Sequence, residues 1–160
     1  MKKRHFMAIL SLLALFGPGG ASAVAEENSE TPVSMAPVPT EARRIALETA
    51  GAFLNDGFRV RDGEWTVSPA PGIPAFLVVN LFAGNRYWFV AASPVAGAKL
   101  VVTLFDSQGK QVKTEQWSDS GAKLGTRTAA GIAPERSGGY FVRIESQDTQ
   151  AETCLVYSYK

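Results

Sequence analysis

Hydrophobic and polar positions follow three different regimes along the chain. Phe6 to Phe16 (FMAILSLLALF) is an unbroken apolar block apart from Ser11. Thr40 to Asn55 repeats at helical spacing: Ala42, Ile45, Ala46, Thr49, Ala50, Phe53 and Leu54 recur every three or four residues and make one stripe, while Arg43, Arg44 and Glu48 fall off it. From Phe58 onward the period drops to two, the switch expected on passing from helix to strand. The spacing predicts strands over Phe58–Val67, Ala75–Phe82, Arg86–Ala92, Lys99–Phe105, Gln111–Trp117, Gly125–Ala130, Gly139–Glu145 and Thr153–Ser158.

Turn chemistry separates these strands, as in Ser68-Pro69-Ala70-Pro71-Gly72, Ala83-Gly84-Asn85, Asp106-Ser107-Gln108-Gly109 and Asp119-Ser120-Gly121. Many short strands so punctuated predict a mainly β fold: an antiparallel, jelly-roll-like β-sandwich over 58–160, with one N-terminal α-helix over 40–55 packed on a sheet. Pro39-Thr40 offers an N-cap ahead of Glu41, and Gly57 offers a left-handed stop. In Gly139–Glu145, Tyr140, Val142 and Ile144 alternate inward against Arg143 and Glu145. Ala75–Phe82 and Arg86–Ala92 are apolar on both faces, so both are expected to be covered on both sides, with the helix across the outer face of their sheet.

The apolar block near the start belongs to targeting. Met1-Lys2-Lys3-Arg4 is basic, Gly17-Pro18-Gly19-Gly20 breaks a helix, and Ala21-Ser22-Ala23 gives the small residues a signal peptidase accepts. Residues 1–23 therefore read as a signal peptide cleaved after Ala23, with Ala25 as the alternative, and the protein as exported to the periplasm or beyond. The block is about half the roughly 20 apolar residues a membrane span needs, so no stable membrane insertion is expected after cleavage. Glu26 to Pro39 is polar, Pro-containing and aperiodic, and makes 24–39 a flexible linker to a single domain over 40–160.

Removing the leader changes the composition. Three of the 16 basic residues lie in it, which leaves 13 against 15 acidic ones, a net charge of −2. No clustered basic surface for nucleic acid follows from that. The only histidine, His5, goes as well, and one cysteine, Cys154, remains. Ser-His-Asp and Cys-His catalysis both need an imidazole, and the usual zinc sites need His or Cys clusters. No enzyme, metal or cofactor is therefore expected. Cys154 sits in an apolar run and reads as a small buried hydrophobe, with an intermolecular disulfide or a reactive thiol as the alternative.

Few residues invite a site. Asp106 and Gly109 occupy the first and fourth positions of a type I turn, which explains them better than calcium does. Asp56, Asp62 and Glu64 cluster in sequence but beside a turn. Tyr87, Trp88, Phe89, Tyr140 and Phe141 read as core. Trp65 and Trp117, at strand ends with polar neighbours, are the candidate ligand-binding residues, as stacking platforms for a sugar or a peptide.

The second half also resembles a known family. Leu81-Phe82-Ala83-Gly84-Asn85-Arg86-Tyr87-Trp88-Phe89, then Leu100 to Val112, then Ala133 to Ile144 and a closing strand through Leu155 and Tyr157, are similar to the bacterial pre-peptidase C-terminal domain. The likeness spans roughly 75–159. It implies a β-sandwich appended to secreted enzymes and related to carbohydrate-binding modules, with no catalytic residues of its own. Together these readings point to an exported binding or accessory module whose partner is a glycan or another envelope protein; a structural or assembly subunit is the alternative, followed by a hydrolase using carboxylates only.

Overall fold

The computed structural model describes residues 40–119 and 126–160. The expected signal peptide over 1–23 and linker over 24–39, the Ser120-Gly121 part of one turn and Gly125 lie outside them. Within them the chain is a β-sandwich of two antiparallel sheets with one helix.

Helix α1 (Glu41–Gly51) starts where the sequence signals it: the Thr40 hydroxyl accepts a hydrogen bond from the Arg43 backbone N–H at 3.3 Å. The helix is shorter than the apolar stripe. It ends at Gly51, a single 3-10 turn follows over Leu54–Asp56, and Gly57 closes it at φ +83°. Leu54 consequently turns out to solvent, whereas Ala42, Ile45, Ala46, Thr49 and Ala50 are buried.

The strands are β1 (Arg59–Val60), β2 (Trp65–Val67), β3 (Ala75–Leu81), β4 (Tyr87–Ser93), β5 (Leu100–Phe105), β6 (Glu115–Asp119), β7 (Thr126–Ile132), β8 (Gly138–Ser146) and β9 (Thr153–Tyr159). One sheet runs β1-β9-β4-β7-β6, with β2 also paired to β9; the other runs β3-β8-β5. The strand expected over Phe58–Val67 is thus two pieces on one neighbour, Val60 opposite Ser158 and Trp65 opposite Leu155. Gly63, at φ +101°, lies in the break between them. The strand expected over Gln111–Trp117 begins later, at Glu115, because the chain first doubles back on β5: Asp106 N–H donates to the Lys110 carbonyl and Val112 N–H to that of Leu104.

Two cores result. Between the sheets lie Leu81, Phe89, Leu104, Val142, Ile144 and Leu155, all almost fully buried. On the outer side of the larger sheet, α1 covers Val90, Ala92, Ala129, Cys154 and Val156. Strand β4 is therefore covered on both sides, as its sequence requires. Strand β3 is not. It belongs to the three-stranded sheet, which α1 does not reach, and its outward residues Phe76 and Val78 are 58% and 64% exposed. Phe141 likewise leaves the expected core: on alternating β8 it points away from Tyr140 and Val142 and is 37% exposed.

Candidate functional site

Three connections cross between the sheets at one end of the sandwich: residues 82–86 after β3, 106–114 after β5 and 133–137 after β7. Each is tied down. The Asp106 carboxylate accepts through Oδ1 from the backbone N–H groups of Gln108 and Lys110, both at 2.9 Å, as the head of such a turn does. The Tyr140 hydroxyl donates to the Arg136 carbonyl at 2.9 Å, and Ser137 Oγ accepts from Ala83 N–H at 2.9 Å. Tyr87, buried at the start of β4, accepts from Phe82 N–H at 2.9 Å.

The second and third connections enclose an open polar cleft of about 590 Å³, within the roughly 300–1,000 Å³ typical of small-ligand sites. Lys110 and Lys113 stand on one wall and Glu135 and Arg136 on the other, with Gln108 and Gln111 among the lining groups. A smaller groove of about 210 Å³ shares Lys113 with it and continues past the Arg86–Glu115 ion pair to Trp88.

A second exposed feature lies on the outer face of the three-stranded sheet. Val78, Phe141 and Phe105 stand side by side across β3, β8 and β5, and Phe76, Arg143 and Thr103 make the next row. Arg143 spreads over the Phe105 ring at 5.4 Å and pairs with Glu145 at 2.8 Å.

The two candidate tryptophans are not brought together. Trp65 is on β2 at one edge of the larger sheet and faces the inner core, its ring stacked on Tyr157 at 5.9 Å. Trp117 is on β6 at the opposite edge. It is opposite Ala129, on the helix-covered side, and is 43% exposed. A single platform built from both is not formed. The Asp56, Asp62 and Glu64 cluster is also dispersed in its contacts, Glu64 pairing with Arg43 and the Asp56 carbonyl accepting from Lys160.

Cys154 lies wholly buried under α1. Burial pushes its thiol up to about 11, and the negative charge of Glu64 adds to the rise.

Sequence reasoning missed the cleft cations because Lys110 and Arg136 are far apart in the chain and only the topology joins them. The exposed face did leave a signal, the apolar residues on both sides of Ala75–Phe82. A scan against protein-family models matches none along this chain, and a search of curated proteins returns no significant match.

Proposed function

We propose that this chain is an exported, non-catalytic binding or accessory module of the cell envelope that takes its ligand in the cleft between the 106–114 and 133–137 connections. The observation that carries the reading is this polar cleft, walled by hydrogen-bonded turns on a sandwich whose strands hold them rigidly. Export rests on the leader, and the accessory role on the loss of the only histidine with it and on the likeness to the pre-peptidase C-terminal domain. A glycan array and an envelope-protein array, each run with Lys113→Ala, Arg136→Ala, Trp65→Ala and Trp117→Ala, test it. Binding lost in the first two variants supports the cleft. Binding lost only in a tryptophan variant moves the site, and turnover of a substrate abolished by one carboxylate substitution overturns the non-catalytic reading.

One observation favours a second reading, an assembly subunit that packs on another copy of itself. The outer face of β3-β8-β5 is apolar and carries one charge of each sign on its middle strand, Arg143 and Glu145. A two-fold axis running the two middle strands antiparallel sets each Arg143 toward the partner's Glu145. Three strands offer less than the about 800 Å² per partner of a standard interface, so the dimer is weak and concentration-dependent. Sedimentation of the wild type and Val78→Asp checks it: a monomer at every concentration sinks this reading.

A further inference from the structure

We infer that the cleft binds an oligosaccharide bearing oxyanion groups, either uronate carboxylates or sugar phosphates, held between Lys110 and Lys113 on one wall and Arg136 on the other. This rests on the cleft being the ligand site. The first support is where unpaired charge is left. Among the described residues, Arg43, Arg44, Arg86, Lys99, Arg127 and Arg143 are in ion pairs, and Arg61 and Lys160 lie over the rings of Tyr157 and Phe58. Only Arg59, Lys110, Lys113 and Arg136 have neither kind of partner, and the last three line this one cleft. A chain that carries more acid than base after its leader thus gathers three cations with no ion pair or ring partner in this one cleft.

The two acids of the lining, Asp106 and Glu135, offset these three cations only in part and leave a net charge of +1. Asp106 is held by its turn, which leaves Glu135 as the one carboxylate of the lining without a hydrogen bond or ion pair among the described residues. Three cations against that acceptor suit a ligand with negative charge and hydroxyls: the guanidinium forks onto an oxyanion, the ammoniums act as point charges, and the carboxylate and the amides of Gln108 and Gln111 take hydroxyl groups. An acidic peptide fits less well. The strand-edge mode of taking an extended peptide is closed on one wall, where the N–H groups of Asp106, Gln108, Gly109 and Lys110 already donate within the turn.

The test is an amide chemical-shift titration of the exported chain with four probes: trigalacturonate, its neutral methyl ester, a hexose 6-phosphate and a tetraglutamate peptide. The expected result is movement of amides in 106–113 and 133–139 with a charged sugar, at least about tenfold weaker with the ester. Affinity should drop several-fold as salt is raised from about 50 to about 300 mM. Whether trigalacturonate or the phosphate moves them more tells carboxylate from phosphate. Lys113→Gln and Arg136→Gln should each weaken binding about five- to tenfold at unchanged melting temperature, because both side chains are held by no ion pair. Equal binding of the ester at these amides overturns the charge assignment and keeps the cleft. Preference for tetraglutamate overturns the saccharide. Movement confined to another surface overturns the cleft as well, and no movement with either charged sugar overturns the inference.

Discussion

Trp88 and Gly131 face each other across β4 and β7, and the indole lies so close over the glycine that a β-carbon there would stand 2.9 Å from two of its ring carbons. The other face of the indole is stacked on Phe53 at 4.8 Å, 16° from parallel. The ring is therefore held between the segment after α1 and the backbone of β7, and it cannot retreat without losing one of the two. Gly131→Ala should lower stability by about 1–2 kcal/mol net, overpacking outweighing the entropy alanine removes from the unfolded chain. Urea unfolding checks it. The loss should shrink in a Trp88→Ala background, and equal losses in both backgrounds would show that the close approach is not the cause.

The start of α1 offers a cleaner backbone test. Among the described residues the Thr40 hydroxyl is the one side-chain acceptor for the first turn, bonding the Arg43 N–H. Thr40→Ala should cost about 1 kcal/mol, and Thr40→Ser or Thr40→Asp should recover most of it. An unfolding midpoint unmoved by the alanine would mean that packing on the sheet alone fixes the helix.

Both features show how far local sequence reaches. The cap, the buried stripe through Ala50 and the inward set Tyr140, Val142 and Ile144 are visible because capping and periodicity are local. The fate of β3 is not local. Its two apolar faces match those of β4 in sequence, but only the pairing of strands decides that α1 covers one and leaves the other open. The same holds at the site. Trp65 and Trp117 share residue type and polar neighbours, yet register sends their rings to opposite faces of one sheet.

Cys154 makes stability depend on alkaline pH. Its buried thiol is raised to about 11, so the folded state holds the proton that the unfolded chain releases near 8.5. The contribution is full below about pH 8.5 and is lost as pH rises to about 11, the loss amounting to about 2–3 kcal/mol by then. Comparing wild type with Cys154→Ala isolates it, since the tyrosines and lysines titrate in both. Curves that stay parallel between pH 8 and 11 would refute the assignment. The native thiol should also react with a disulfide reagent far more slowly than the unfolded one.

The two phenylalanine environments predict opposite outcomes for one kind of change. Phe89 is fully buried between the sheets, and Phe89→Ala should cost about 3–5 kcal/mol. Phe76 is more than half exposed on the uncovered face, and Phe76→Ser should change stability by no more than about 0.5 kcal/mol. A large loss at Phe76 in dilute solution would mean that the face is covered in the native protein.

The place of β9 has a consequence in time. It lies between β4 and the β1 and β2 pieces, and it sends Leu155 and Tyr157 into one core and Cys154 and Val156 into the other. Of the described strands it comes last in the chain, so β3, β8 and β5 can pair before it, but neither core is complete until it joins. Both cores thus share one keystone, and the inter-sheet core and the helix-covered core gain their last side chains together when β9 docks.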